Sequence, residues 1–461
     1  MTPDRSTHHR SAANRRRMPE RFASLLHPAR WLLLALLAGA LGGSASAMFL
    51  FTLDWATAVR TAHPWLLALL PLAGFGVGWL YLKYGTVVEG GNNLLIEEIH
   101  DPKQVIPLRM APLVLGGTVV SHLFGASVGR EGTAVQMGGA LADQLTHLFR
   151  LRHQDRRILL MAGIAAGFAS VFGTPLAGAV FALEVLAIGR LRYDALPVSL
   201  AAAIAGDVIC RLWGAHHTHY AIPLDAIPAL APWPLLAVAI AGIAFGLAGR
   251  LFADWTHALG GWSRRRVPYA PLRPLLGGIV IAVTAWATWG WGVERYLGLG
   301  IPTIQAAFQQ PLPAWDFAAK MAFTIGSLAS GFKGGEVTPL FYIGATLGNA
   351  LAPLLQLPIA LLAGVGFVAV FAGAANTPIA STLMAMELFG AEVGVYAATA
   401  CVVSYLFSGH TGIYRAQRPG SGKFGRARQA PDEQAPDGTG PGEKAAWRRG
   451  QAREKEVEEK S

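Results

Sequence analysis

The middle of the chain is a succession of apolar runs, and this feature restricts the possible folds more than any other. A helix needs about 20 predominantly apolar residues to cross the hydrocarbon core of a bilayer. Apolar runs recur from residue 31 to about residue 415, while the charged residues, 14% of the 461 positions, gather at the two ends. Soluble domains carry about 25% charge. The sequence therefore predicts an all-α polytopic membrane protein.

The two tails are polar and rich in charge. Residues 1–30 include Arg15-Arg16-Arg17, and residues 415–461 are rich in Pro, Gly and charged side chains. We expect both tails to be disordered and, by the positive-inside rule, cytoplasmic. The formal net charge of +10 comes mostly from these tails, so it is informative about topology and argues against nucleic-acid binding.

Residues suited to metal binding or catalysis form no convincing pattern. Cys210 and Cys401 both lie in apolar runs, which indicates neither a disulfide framework nor a cysteine-based metal site. The loop segment His216–His219 could bind a metal, but clustered loop histidines without partnered Cys or carboxylates are more typical of a polar, solvated loop. No nucleophile–base pair or metal-ligand spacing occurs in the apolar runs. We expect no enzyme activity, no metal and no cofactor.

The pentapeptide Gly129-Arg130-Glu131-Gly132-Thr133 stands between two apolar runs. A carboxylate at bilayer depth is costly, so such residues usually have a function and a specific partner. The glycines leave backbone N–H groups open to close approach, and a helix start in such a setting is an anion site. Glu131 is then an anion where an anion binds, and its protonation would free the site, as in a gate coupled to protons. A surface ion pair between Glu131 and Arg130 is the alternative that this segment alone leaves open.

Residue patterns of the first half recur in the second half at a nearly constant offset. The matching segments are Glu131-Gly132-Thr133 with Glu336-Val337-Thr338, Thr174-Pro175 and Glu184 with Thr377-Pro378 and Glu387, and Gly91–Leu95 with Gly298–Pro302. Two similar halves with short, glycine-interrupted helices in matching places indicate a transporter whose site lies at the bilayer midplane. We take residues 31–231 as the first repeat and 232–414 as the second. Since both tails are expected on one side, the repeats are inverted if each crosses the membrane an odd number of times.

These segments together resemble the CLC family of anion channels and proton-coupled anion exchangers. The signature Gly-Arg-Glu-Gly is intact at Gly129–Gly132, and Gly334–Pro339 takes the place of the family's Gly-x-Phe-x-Pro segment. Tyr414 falls where the family has its central anion-binding Tyr. The resemblance covers about residue 31 to 415. It implies a homodimer with one pore per subunit, in the inner membrane of a bacterium.

Three departures from the chloride members resemble the fluoride-selective branch of the family. Chloride members usually carry Gly-Ser-Gly-Ile-Pro where this chain has Gly91–Leu95, Pro where it has Thr133, and Phe where it has Val337. The resemblance to the fluoride branch implies export of fluoride in exchange for protons. An exchanger for chloride or another anion, and a passive anion channel, remain alternatives.

The resemblance implies a specific set of site residues. Glu131 is expected to be the gating carboxylate that carries the proton and competes with the anion. The expected anion-binding residues are Asn92, Gly129, Arg130, Gly132, Glu336, Val337, Thr338 and Tyr414. Fluoride is small and tightly hydrated, so amide and hydroxyl donors of this kind suit it, although chloride could use the same groups. Helix capping is the alternative role for Asn92 and Thr338.

The proton route departs from the pattern of many proton-coupled members. Those members often carry two adjacent glutamates where this chain has Glu184-Val185. The usual inner proton station is therefore missing, and Glu336 is the candidate for a different route, with capping of a helix start as its alternative role. Glu184 and Glu387 are expected to be structural, holding helix ends and loops.

Overall fold

The computed structural model describes the chain from Glu20 to Gly420 together with Lys423, with side chains from His27 onward. The described residues up to Pro419 form one compact unit, and Gly420 and Lys423 belong to a separate one. The described residues fold into α-helices, joined by short 3₁₀ turns and loops, and one pair of short strands. The helices are α1 Glu20–Ala62, α2 Leu70–Tyr84, α3 Asn92–His100, α4 Met110–Leu123, α5 Glu131–Leu148, α6 His153–Phe172, α7 Pro175–Glu184, α8 Leu196–Leu212, α9 Pro232–Arg266, α10 Leu272–Ala287, α11 Ile301–Ala307, α12 Asp316–Ser330, α13 Val337–Leu355, α14 Ile359–Ala375, α15 Pro378–Phe389 and α16 Gly394–Phe407.

The order of helices repeats. Within the described residues eight helices precede residue 232 and eight begin at or after it. Each half opens with its longest helix, α1 of 43 residues and α9 of 35, and each has a short third helix, α3 of 9 residues and α11 of 7. The boundary expected at residue 232 coincides with the start of α9.

Five helical segments in the described part of the chain are long and apolar enough to cross a bilayer. They are His27–Ala62, Pro64–Tyr84, Tyr193–Leu212, Pro232–Arg266 and Val337–Leu355. Other apolar helices are only 10–17 residues long, shorter than the length of about 20 residues that a full span requires. Broken and short helices of this kind suit a transporter, because irregular backbone at membrane depth is tolerated where it lines a cavity.

Both boundaries with the tails differ from the sequence-based expectation. Helix α1 begins at Glu20, so the disorder expected over residues 1–30 is corrected for residues 20–30, because extending an existing helix costs little. Strand β2 Arg418–Pro419 pairs in parallel with β1 Ala187–Ile188, so disorder from residue 415 is corrected for residues 415–419. The rest of both expected tails, apart from Gly420 and Lys423, lies outside the described residues.

Small residues bring the central helices close together. A Cβ atom built on Gly163 of α6 would lie 2.5 Å from the Gly138 carbonyl oxygen of α5 and 2.6 Å from the Ala142 Cβ. The corresponding pair in the second half, Gly344 of α13 and Gly366 of α14, also meets backbone to backbone. Close backbone approach through glycine is a common way to pack membrane helices, and here it occurs at matching places in both repeats.

Two glutamates join the repeats reciprocally. Glu184, at the end of α7, accepts hydrogen bonds from the backbone N–H groups of Ile379 (3.1 Å) and Ala380 (2.8 Å) at the start of α15. Glu387 of α15 accepts equivalent bonds from the N–H groups of Leu176 (2.9 Å) and Ala177 (2.8 Å) at the start of α7. Each carboxylate therefore supplies acceptors that a helix start lacks. This geometry is the structural role expected for both residues.

A buried ion network anchors the loop between α3 and α4. The guanidinium of Arg156 lies 2.8 Å from Glu98 Oε2 and 2.7 Å from Asp143 Oδ1, and it also donates to the Gln104 carbonyl oxygen. Asp143 accepts a further bond of 2.7 Å from the Ile106 backbone N–H. All three charged side chains are buried, and the single cation offsets part of the negative charge of the two carboxylates.

Candidate functional site

Two extended segments cross at the junction of the repeats. Gly129 and Gly335 exchange backbone hydrogen bonds, of 2.6 Å from Gly129 N–H to Gly335 O and 2.8 Å in the other direction, as an isolated antiparallel bridge. A Cβ on Gly129 would lie 2.8 Å from the Gly335 oxygen, and one on Gly335 would lie 2.7 Å from the Gly132 nitrogen. Glycine is therefore required here by close approach. The antiparallel pairing brings the starts of α5 and α13 together.

Glu131, the first residue of α5, is fully buried at this junction. Its carboxylate accepts hydrogen bonds from the backbone N–H groups of Arg130 (3.1 Å) and Thr338 (3.0 Å), and from the Thr338 hydroxyl. The Arg130 Nε lies 3.6 Å from Glu131 Oε1, beyond hydrogen-bond distance. The carboxylate thus occupies a position bounded by two helix starts, where N–H groups and helix dipoles favour an anion.

Two cavities lie at this junction. The larger has a volume of about 380 Å³, and its lining includes Asn92, Glu336 and Tyr414. We call it the basic cavity, because the cationic side chains that line it are Arg264, Arg273, Lys333 and Arg415, against the acidic Glu89 and Glu336. A cleft lined mainly by one sign of charge raises the local concentration of oppositely charged ions. The basic cavity can therefore collect anions.

The second cavity is much smaller, about 10 Å³, and lies on Glu131 itself. Arg130, Glu131 and Thr338 line it together with Thr218 and Tyr220 of the loop that follows α8. Glu131 therefore lines the small cavity, whereas Glu336, its counterpart in the repeat, lines the basic cavity. The two carboxylates therefore line different cavities.

The structure brings the sequence-predicted site residues together at one junction. Gly129 and Gly132 border Gly335, and a Cβ on Gly132 would lie 3.0 Å from the Asn92 amide nitrogen. Tyr414 is 5% exposed and reaches this region from the segment after α16. Val337 is buried beside Glu336 but lines neither of the two cavities.

The alternative roles expected for two site residues can be compared with this geometry. Gly91, rather than Asn92, is the N-cap of α3, and the buried Oδ1 of Asn92 has no hydrogen-bond partner among the described residues. The Thr338 hydroxyl donates to Glu131 rather than back to its own helix. Both polar groups are therefore directed into the junction between the repeats.

Comparison with known proteins gives the family. The family model described as voltage gated chloride channel matches residues 73–409. A curated relative from Pseudomonas syringae pv. tomato, named chloride/fluoride channel protein, is 63% identical over 413 residues, which cover 89% of this chain and 91% of the relative. The chain belongs to the CLC family. The family predicted from the sequence motifs is thereby confirmed.

Solved CLC structures share the fold described above. A CLC-type fluoride/proton antiporter is 36% identical with a TM-score of 0.82, covering 86% of this chain and 99% of that protein. A slow cyanobacterial Cl⁻/H⁺ antiporter is 21% identical with a TM-score of 0.71, covering 84% of this chain and 96% of its own. The prediction of an all-α polytopic CLC fold with two inverted repeats is confirmed.

The sequence analysis missed several residues of this CLC site. The loop containing His216–His219 was expected to be solvated, but Thr218 and Tyr220 line the small cavity, and His217 Nε2 donates to the Ser170 carbonyl oxygen at 2.9 Å. Lys333 was also missed, and its Nζ lies 4.0 Å from the centre of the Tyr81 ring, in cation–π contact. The cation directly before Gly334-Gly335 was the only sequence signal for Lys333. No feature of the sequence indicated that the loop after α8 lines the site, because its contacts with α6 and with the site are long-range.

Proposed function

We propose that this CLC protein exports fluoride in exchange for protons. The observation that supports the proposal is the fully buried Glu131 carboxylate, held by backbone N–H groups and the Thr338 hydroxyl. Donors arranged around a carboxylate in this way can also bind a small anion. Glu131 and a transported anion would then compete for one position.

Protonation of Glu131 provides the coupling. A protonated carboxyl group accepts fewer strong hydrogen bonds than a carboxylate. The neutral side chain is therefore held less tightly by the three donors. The carboxyl group leaves, an anion takes the donors, and the proton travels with the displaced side chain. When the anion leaves, the proton is released and the carboxylate returns. One carboxyl group thereby links movement of the anion to movement of the proton in the opposite direction.

Fluoride is favoured over chloride by the donors at the site. A small, strongly hydrated anion needs strong donors to replace its water, and the Asn92 amide, the Thr338 hydroxyl and the Tyr414 hydroxyl are donors of this kind. The Asn92 amide nitrogen, which lies close to Gly132, and the cavity position of Tyr414 support this assignment. The relative named chloride/fluoride channel protein and the solved fluoride/proton antiporter support the same substrate.

The remaining site residues receive supporting roles. Glu336 lines the basic cavity, so it is the proposed proton-binding group on that side, in place of the glutamate that Val185 replaces. Gly129, Gly132 and Val337 supply backbone to the junction, and Arg130 supplies a backbone N–H. No enzymatic step is proposed.

The proposed setting is the inner membrane of a bacterium, with both termini in the cytoplasm. Arg264, Arg265 and Arg266 end α9, and Arg264 lines the basic cavity, so the positive-inside rule favours a cytoplasmic opening for that cavity. The partners are fluoride, protons, the lipid bilayer and a second copy of the chain in a homodimer. Residues 31–231 and 232–414 are the proposed repeats.

A passive anion channel is the second candidate function. Val185 stands where many proton-coupled members have a glutamate, and its backbone carbonyl is held by Gln417. The two candidates differ in one observable. An exchanger uses a proton gradient to move fluoride against the fluoride gradient. A channel lets fluoride move only down the fluoride gradient.

The test uses purified protein in liposomes loaded with fluoride or chloride, with anion efflux and external pH recorded together. The expected result is fluoride efflux with matched proton uptake and little chloride flux. Glu131→Gln should abolish proton uptake, because a carboxamide cannot bind and release the proton at neutral pH. Glu184→Gln is the matched control, since it changes a buried structural carboxylate of the same fold. Fluoride-coupled proton uptake that survives in Glu131→Gln would remove Glu131 from the mechanism.

A further inference from the structure

The segment that carries Tyr414 has little regular structure of its own. Between α16 and β2 it forms only turns and irregular backbone, so its position depends on bonds to neighbours. The Gly412 carbonyl oxygen accepts a bond of 2.9 Å from His257 Nε2, and the Ile413 N–H donates to the Ala374 oxygen at 2.8 Å. These bonds hold the backbone before Tyr414. Two side chains hold the backbone after it.

The first of these side chains is Asn93, the second residue of α3. Its Oδ1 accepts a hydrogen bond of 3.0 Å from the backbone N–H of Ala416. The amide nitrogen of its neighbour Asn92 lies close to Gly132. Asn92, Asn93 and Tyr414 all line the basic cavity. One dipeptide thus places one amide in the anion site and uses the other to hold the Tyr414 segment.

The second side chain is Gln417, which is 8% exposed. Its Nε2 donates to the Val185 oxygen at 3.0 Å and to the Ala375 oxygen at 2.8 Å. Its Oε1 accepts a bond of 3.1 Å from Asn376 Nδ2. The amide therefore joins the Tyr414 segment to the end of α7 and to the end of α14. Every polar atom of this side chain is used.

We propose that Asn93 and Gln417 are positioning residues that fix the Tyr414 hydroxyl relative to Asn92 and so set the preference for fluoride over chloride. The proposal rests on the fluoride function proposed above. A site must hold its donors within about 0.5 Å of the productive geometry. Fluoride, whose water is the more costly to remove, loses more than chloride when the donors no longer converge on it.

The two residues predict opposite responses to the same change from amide to carboxylate. Asn93 contributes an acceptor, so Asn93→Asp keeps the bond to Ala416, whereas Asn93→Leu removes it. Gln417 contributes two donor bonds, so Gln417→Glu directs a carboxylate at two carbonyl oxygens and should be no better than Gln417→Met. If either side chain only filled space, its carboxylate variant and its apolar variant would not differ in this way.

The experiment measures the ratio of fluoride to chloride efflux from liposomes, together with proton uptake per fluoride. Asn93→Leu, Gln417→Met and Gln417→Glu should each lower the ratio by about tenfold, the size of one buried hydrogen bond. Asn93→Asp should keep the wild-type ratio even if its added charge slows both halides alike. Proton uptake per fluoride should stay at the wild-type value in all of the variants.

Asn349 provides a matched control, because its buried amide makes three hydrogen bonds, as the amide of Gln417 does. It accepts from Leu312 N–H and donates to the Ala307 and Gln310 oxygens, at 2.8 to 3.0 Å, and it lines neither cavity. Asn349→Leu should lower thermal stability and leave the halide ratio unchanged. An equal fall in the ratio for Asn349→Leu would overturn the proposal, since general loosening would then explain the effect.

Two other results would overturn the proposal while leaving the proposed function intact. One is a wild-type halide ratio in Asn93→Leu and Gln417→Met. The other is the same loss in Asn93→Asp as in Asn93→Leu. Failure of the proposed function is separate, because the wild-type protein would then show no exchange of fluoride for protons.

Discussion

Replacement of Arg156 by methionine should destabilise this protein strongly. The Arg156 side chain is 4% exposed, and the two carboxylates that it bonds, Glu98 and Asp143, are 7% and 0% exposed. Methionine fills similar space but supplies no donor, so Arg156→Met leaves two anionic groups buried without their cation. Removing one partner from a buried ion pair costs about 3–5 kcal/mol.

The matched control is an arginine whose ion pair is exposed. Arg192 lies 3.1 Å from Asp194, and their side chains are 46% and 50% exposed. Exposed pairs contribute about 0–1 kcal/mol, so Arg192→Met should have little effect. The triple variant Arg156→Met, Glu98→Gln, Asp143→Asn removes all three charges and should recover much of the loss, because the cost comes from unpaired charge rather than from missing bonds.

The free energy of unfolding can be measured by denaturant titration in mixed micelles, with helical content as the signal. Arg156→Met is expected to lose at least about 2 kcal/mol more than Arg192→Met. Equal losses in the two single variants would refute the reasoning. A triple variant less stable than Arg156→Met would also refute it, because the hydrogen bonds would then outweigh the charges.

Two further predictions concern contacts between helices. Glu184→Gln should lower the free energy of unfolding by about 1.5–3 kcal/mol, the range for hydrogen bonds to charged groups. Glu387→Gln should lower it by less, because the Glu387 carboxylate is less buried. Equal losses of thermal stability in the two variants would contradict this ranking. Gly163→Ala should destabilise by at least about 1–3 kcal/mol, typical of overpacking, whereas Gly116→Ala, where a Cβ meets nothing within 4 Å, should be neutral or stabilising. Comparable thermal stability of the two alanine variants would argue against close contact between α5 and α6.

Much of this fold follows from local features of the sequence. Apolar runs bounded by Gly and Pro mark most helices, because burial in a bilayer demands long apolar segments with all backbone groups bonded. The repeated Glu-x-Thr segments at Glu131 and Glu336 correctly identified two helix starts that meet. Helix α3 was harder to see, since its nine residues include Glu97 and Glu98 among the apolar ones.

The remaining features of the site depend on contacts between distant residues. Nothing near Gln417 in the sequence indicates that its amide bonds to Val185, because that contact exists only after both repeats have folded. Thr218 and Tyr220 likewise reach the small cavity only because their loop folds back over α6. Asp143 had no assignable role from the sequence, since its partner Arg156 lies on the next helix and its backbone donor Ile106 lies in an earlier loop.

The exchange of caps between Glu184 and Glu387 has a consequence for biosynthesis. The ribosome completes α7 about two hundred residues before it adds Glu387, so the N–H groups of Leu176 and Ala177 enter the bilayer without their acceptor. Unbonded backbone groups are costly in lipid. The newly inserted first repeat therefore gains stability when it packs against the second repeat. If the two repeats were translated as separate polypeptides, they should associate in the membrane, because each supplies the carboxylate that bonds a helix start of the other.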